Sequence, residues 1–291
     1  MSLSWITGIL EALFKESIID AIMASFEGVF DDVNNQVNDI AVQVGKTPEN
    51  WNSGVFSMVR TLSETVVLPI AGIILTFVLC YELIQLIIEK NNMADFDTFN
   101  IFKWIFKTFV AVFILTNTFT IVLAVFEVAQ SVINESATFI TGETQLGDPY
   151  MMEAIRYQLE EQSIGSLLAL FLEVQVIRLA LGAMVIVIFV VIWGRMIEIY
   201  ITISLAPIPL STMVNREWGS MGNNYLKALF AVAFQGFLIM VCVAIYAALV
   251  ANIGTTDSIR ASIWTVASYT ALLCFILLKS GGIAKSVFQA H

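Results

Sequence analysis

Histidine is almost missing from this 291-residue sequence, and the single one is the last residue, His291. Its scarcity excludes the three-histidine and His-Glu zinc sites, and every nucleophile that relies on a neighbouring imidazole. Cysteine is nearly as scarce. Cys80, Cys242 and Cys274 each lie inside an apolar run with no CxxC spacing, so they count as small apolar side chains rather than as a disulfide or zinc framework. No GxxxxGK[ST] phosphate loop is present. Charged residues make up 13% of the chain, against about 25% in soluble domains. The net charge is −10 and Lys/Arg clusters are lacking, which argues against a free-standing nucleic-acid binder. No catalysis, metal or cofactor is expected.

What is present is apolar sequence: 58% of residues, with a mean hydropathy of +0.84. It comes as separate runs near the ~20 residues that cross a bilayer. The expected fold is therefore an all-α, polytopic transmembrane bundle. Spans are expected at about 66–88, 107–128, 167–193, 228–250 and 261–278, making a membrane domain of residues 66–291. Pro69 falls in the first turn of the first span, where a missing N–H costs little. Glu82 and Gln85 share a face near its far end. Glu173 and Arg178 interrupt the third run. Sixteen uncharged residues separate Arg178 from Arg195, about 24 Å of helix, so both arginines are expected to snorkel to opposite interfaces. Ala244/Ala248 and Ala247/Ala251 permit close helix approach in the fourth span.

Residues 1–65 read as an extracytoplasmic segment. Ile6, Ile9, Leu10, Leu13, Phe14, Ile18 and Ile22 alternate with Glu11, Lys15, Glu16 and Asp20, which predicts an amphipathic helix over 3–30. A polar linker with breakers at Gly45, Pro48 and Gly54 follows over 31–65. The loop 129–165 is acidic, with Glu135, Glu143, Asp148, Glu153, Glu160 and Glu161 against Arg156. It contains a predicted helix over 151–162, with Asp148 as N-cap and Pro149 opening it.

One stretch does not read as a plain span. Residues 195–227 carry Pro207 and Pro209 at membrane depth and then a polar block with Arg216, Glu217, Trp218 and Tyr225. Two prolines remove two backbone donors and bias Ala206 and Ile208 away from helical angles. Irregular backbone at that depth is tolerated only when buried in protein or lining water. The basic residues set orientation. If 196–214 does not cross, Lys90, Lys103, Lys107, Arg195, Arg216, Lys227, Lys279 and Lys285 all lie inside. That favours five spans with the N-terminus outside and the C-terminus in the cytoplasm. Residues 196–214 then form a re-entrant or interfacial hairpin returning at Arg216; the alternative is a kinked sixth span. Glu198 is expected to pair with Arg195, three residues back.

The run ISLAPIPLSTMVNREWGSMGNNYLKAL, residues 202–228, resembles the TrbL-type polytopic inner-membrane component of conjugative type IV secretion systems, the family of the sixth VirB protein. Leu205, Ala206, Pro207 and Ile208 fill the family's "la-P-i" step, with Pro209 extending it. Asn215 and Arg216 fill its polar stretch, and Trp218 and Tyr225 its aromatic positions. The external loop is shorter than the family's, and a long hydrophilic tail does not follow the last span. A short, acidic member of this kind suits a Gram-positive conjugative element. The resemblance implies a homo-oligomeric structural channel component in the cytoplasmic membrane. Its implied partners are the other inner-membrane subunits and the secretion ATPases, with transient contact to transferred single-stranded DNA or protein.

From the residues alone two other classes stay open. A secondary transporter or ion channel would use the proline break as its site and Glu82 or Glu198 as the coupling carboxylate. The absence of an internal repeat and the odd span count weigh against it. An accessory membrane assembly protein would need no conduit. In each reading Glu82, Gln85, Glu173, Arg178 and Glu198 are the intramembrane polar residues to account for, because such charges usually face a bundle interior.

Overall fold

The computed structural model describes residues 4–88, 98–138, 149–251, 253 and 259–290. Among these the regular structure is helical: α1 Ser4–Val44, α2 Pro48–Trp51, α3 Ser53–Leu62, α4 Leu68–Ile88, α5 Thr98–Thr116, α6 Thr118–Thr138, α7 Pro149–Glu160, α8 Ile164–Leu205, α9 Pro207–Thr212, α10 Gly219–Ala251 and α11 Ile259–Val287. A π-helical turn, Ser63–Val67, joins α3 to α4. Lys90 with its loop, Asp148 of the expected cap, and most of the turn at 252–258 lie outside the described residues.

Among the described residues six helices are long and apolar enough to cross a membrane by length and composition: Ser53–Ile88, Phe99–Thr116, Thr118–Thr138, Ile164–Leu205, Gly219–Ala251 and Ile259–Val287. The protein is an all-α, multi-pass membrane protein. The expected span at 107–128 corresponds to two of these six. They meet at Asn117, and the backbone ladder continues across the joint through Asn117 N–H to Phe113 O (3.1 Å) and Ile121 N–H to Asn117 O (3.0 Å). Thr116, Asn117 and Thr118 each donate a side-chain bond to a carbonyl one turn back, the crowding that disturbs a helix without a proline. With 98–138 counted as one continuous rod, the six candidate spans reduce to five.

The chain divides into two compact units. The first comprises 1–44, 135–192 and 239–278. Here α1 does not stop at Phe30 but runs to Val44, absorbing part of the expected linker. Ile18, Ile22, Phe26, Val29, Val33, Val37, Ile40 and Val44 are all buried. Their 4-4-3 spacing keeps one stripe on one side of a straight helix until Gly45 ends it. Helix α7 packs on α1, with Arg156 bonded to Asp20 (3.1 Å) and Lys15 donating to the Glu160 carbonyl (2.6 Å). In this unit α8 and α11 run side by side, in the same direction, from the Glu173–Arg260 pair to Cys274 beside the Met184 carbonyl.

The second unit comprises 45–134, 193–238 and 279–291. Its frame is the antiparallel pair α4–α5, where Ala71, Leu75 and Leu79 face Ala111 and Leu115. Trp104 Nε1 donates to the Leu79 carbonyl (3.4 Å), and Lys107 pairs with Glu82. A larger core gathers Phe56, Phe119, Phe126, Met196, Ile203 and Leu229 from α3, α6, α8 and α10, with Ala206 from the joint between α8 and α9.

Candidate functional site

The feature that sets the second unit apart is the proline break between α8 and α10. Helix α8 is unbroken from Ile164 to Leu205, so residues 196–205 are its last turns and the chain does not reverse at Arg195. The expected departure from helical angles is also corrected. Ala206 has φ −50° and ψ −39°, and Ile208 lies inside α9. Both prolines fall in the first turn of α9, where backbone N–H groups have no intrahelical acceptor in any case. What changes is the bonding register: Ala206 N–H turns back to Ile203 O (3.3 Å). Downstream, the Ser211 and Thr212 hydroxyls donate to the Ile208 and Pro209 carbonyls (2.6 and 2.8 Å). The break is thus met in part from nearby: Ile203 O accepts from Ala206, Thr202 O from the Tyr225 hydroxyl, and the turn that follows is tied by its own hydroxyls.

Beyond the break the chain keeps its direction along α3 and α4. Trp193 packs on Trp51, with centroids 4.6 Å apart. Ile203 and Ala206 share a core with Phe56 and Val59, and Ile208 and Val214 pack against the Ala71–Leu75 face. The reversal comes at Met213–Trp218. Asn215 builds it, accepting from the Glu217 and Trp218 amides through Oδ1 (2.8 and 3.1 Å), while its own Nδ2 is buried without a partner. Helix α10 then returns along α8, with Tyr225 donating to the Thr202 carbonyl (3.0 Å). The legs of the hairpin are therefore α8–α9 and α10, and Arg216 is exposed at its tip.

The tip is held to α4 by two adjacent residues. Glu217 accepts from Gln85 Nε2 (3.0 Å) and from the Tyr81 hydroxyl (3.3 Å). Trp218 stacks on both Phe77 and Tyr81, each with centroids 5.7 Å away and planes within 12° of parallel. Closely behind, α10 meets α9 at Gly222. A Cβ there would stand 2.0 Å from Met213 Cγ and 2.7 Å from the Pro209 carbonyl oxygen. Only hydrogen fits.

The structure thus brings together Pro207, Ile208, Pro209, Trp218, Tyr225 and Gln85 of the expected residues. Ala206 and Pro207 are buried, whereas Leu205 is exposed. Glu82 lies one residue from Tyr81 but turns to Lys107, leaving its Oε2 enclosed and unbonded. Glu173 and Arg178 belong to the first unit. Arg260 Nε is 2.7 Å from Glu173 Oε2, an ion pair by distance in which the N–H does not point along a hydrogen bond. Arg178 is exposed and lays its guanidinium over Gly28, 3.4 Å from where a Cβ would stand.

Two expectations are overturned. Glu198 pairs with Lys285 of α11 (2.9 Å), not with Arg195. Arg195 does not snorkel: it is buried, 5% exposed, with Nη2 3.4 Å from the Ala233 carbonyl. Phe77, Tyr81 and Gly222 were not singled out from the sequence. An asparagine four residues ahead of a helical run, here Asn215 before Gly219, was the available signal for the turn.

Residues 33–207 match the family model described as TrbL/VirB6 plasmid conjugal transfer like protein. The chain belongs to this family. The match covers more than half of the 291 residues. It takes in α8 and the Leu205–Pro207 step, and stops before Ile208 and the Trp218–Tyr225 tip. Searches of the curated proteins and of the solved structures find no match to the chain. Family membership makes this TrbL/VirB6-like protein a component of conjugal transfer by type IV secretion.

Proposed function

We propose that this TrbL/VirB6-like protein is a non-catalytic channel subunit of a conjugative type IV secretion machine. It works in the cytoplasmic membrane as a homo-oligomer alongside the other inner-membrane subunits and the secretion ATPases. Its task in this reading is to help a single-stranded DNA–relaxase complex, or a protein, across the bilayer. The observation that carries the reading is the proline-broken leg at the end of the family-matched segment, seated at span depth on α4 and α5 and closed by its own hydroxyl bonds. Such an element interrupts the helical hydrogen-bond ladder beside a path while its own hydroxyls turn back onto its carbonyls. The carboxylates that a coupled transporter would use are engaged, Glu82 with Lys107 and Glu198 with Lys285, which favours a structural conduit over ion-coupled transport.

The test is deletion of the gene in a conjugative donor, with transfer frequency as the readout. Loss of transfer, restored by the gene in trans, is expected; undiminished transfer rules the proposal out. Uptake of a radiolabelled solute by proteoliposomes of the purified protein would instead support a transporter.

A further inference from the structure

We propose that Arg195 anchors a phosphate site between α6, α8 and α10 that takes the headgroup of an anionic phospholipid. The inference is independent of the secretion role. Arg195 is the buried cation of the second unit, and its guanidinium is incompletely bonded. Nε has no partner, and Nη2 makes one long bond to the Ala233 carbonyl. Among the described residues no ion pair includes it, whereas Arg60, Lys107, Arg156, Arg260 and Lys285 each have a carboxylate. The acid nearest in sequence, Glu198, is committed to Lys285.

The space around this guanidinium is reserved by the sequence. A Cβ on Gly236 would stand 2.5 Å from Nη2 and 2.8 Å from Cζ, and 2.5 Å from Ile133 Cδ1. Glycine at 236 therefore leaves a slot that the arginine fills. An enclosed charge without a counter-ion costs several kcal/mol, and a fork of N–H donors is completed best by a carboxylate or phosphate. None of the ion pairs among the described residues gives it a carboxylate, and the anion proposed for it comes from outside the chain.

The surroundings favour a lipid source. Helices α6, α8 and α10 are all candidate spans, so an anion that reaches Arg195 does so among apolar helices. Trp193 lies two residues away against Trp51, and Tyr200 donates to the Pro48 carbonyl (2.7 Å). Gln130 of α6 donates to the Gly45 carbonyl. Paired tryptophans and a tyrosine beside polar backbone are the groups found where spans meet headgroups. A basic side chain between spans at that level is the chemistry that retains an anionic headgroup.

The test uses the full-length protein in neutral detergent, with native mass spectrometry and thermal unfolding as readouts. The probes are phosphatidylglycerol, phosphatidylcholine and inorganic phosphate. Phosphatidylglycerol is expected to remain bound to the wild type and to raise its unfolding temperature, while phosphatidylcholine and phosphate do neither. Arg195→Gln is expected to lose the adduct and the stabilisation. Arg195→Lys, which keeps the charge but not the fork, is expected to weaken binding about tenfold and covers the case in which the glutamine variant does not fold. Arg60→Gln should change nothing. Equal phosphatidylglycerol retention by the wild type and both Arg195 variants overturns the proposal. An equal effect of inorganic phosphate overturns the lipid assignment, as does Arg195→Gln dissociating an oligomer with its lipid count unchanged, which would assign the counter-charge to a second copy of the chain.

Discussion

Gly222 and Gly72 are both helical glycines, and their surroundings give them opposite mutational signs. At Gly222 an added methyl meets Met213 Cγ and the Pro209 carbonyl; the methionine can swing aside, but the backbone oxygen cannot. Gly222→Ala should therefore destabilise the protein by about 1–3 kcal/mol, the usual cost of overpacking. At Gly72 nothing lies within 4 Å of the new carbon, so Gly72→Ala should be neutral or stabilising by up to about 1 kcal/mol. Thermal unfolding in a single detergent distinguishes the two. A glycine's neighbours 9 to 13 residues away cannot be counted from the sequence, and charges behave alike. Glu82 and Lys107 were each visible as polar groups near span ends, but their pairing depends on the antiparallel register of α4 and α5. Arg195 looked like an interfacial anchor because the slot that draws it inward is made by Gly236, forty-one residues on.

Helix α9 exists because two prolines sit where a helix begins. With alanines at 207 and 209, α8 regains the N–H groups it needs to run straight on, and the reversal that delivers Trp218 to Phe77 and Tyr81 is no longer specified. Pro207→Ala with Pro209→Ala should lower conjugative transfer while the protein still accumulates in the membrane; full transfer from the double variant would make the break incidental. The α4–α5 pair invites a double-mutant cycle. Glu82→Gln or Lys107→Met alone should cost about 1–3 kcal/mol by stranding a partly buried partner, whereas the double variant should recover much of that loss. Denaturant titration of the four proteins measures it.

At this scale apolar periodicity was the dependable signal. It located the long apolar helices and α7, where the opening proline is present as expected. It also contained the continuation of α1, since the 4-4-3 stripe runs on past Phe30; Asp31, Asp32 and Asp39 obscured it by occupying the exposed side. The joint at Asn117 was harder to read. It has no glycine or proline, and its cause is side-chain bonding from three successive polar residues.

For the whole molecule, the number of traversing rods decides the sides on which its ends lie. With 98–138 as one rod and α8–α9 as a single leg, the six candidate spans reduce to five, the odd count on which an outside N-terminus and a cytoplasmic C-terminus are expected. A reporter fused at Asn223, in the first turns of α10, should read cytoplasmic together with one fused after Ala290. Opposite readings from the two fusions would break the odd count, and with it the basic-residue argument for orientation.

The contact of Ile208 and Val214 with the Ala71–Leu75 face has a consequence for how the protein is made. At about 5–20 residues per second, the ribosome reaches Ile208 roughly 7 to 27 seconds after Leu75. For most of that interval α4 and α5 have both been made while α9 has not, so a pair inserted by then has lipid where α9 will sit. Seating the broken leg is therefore a late exchange of lipid for protein, and its free energy is set against a solvent as apolar as itself. Shape, the Glu217 bonds and the Trp218 stack must then decide the outcome, because hydrophobicity cannot.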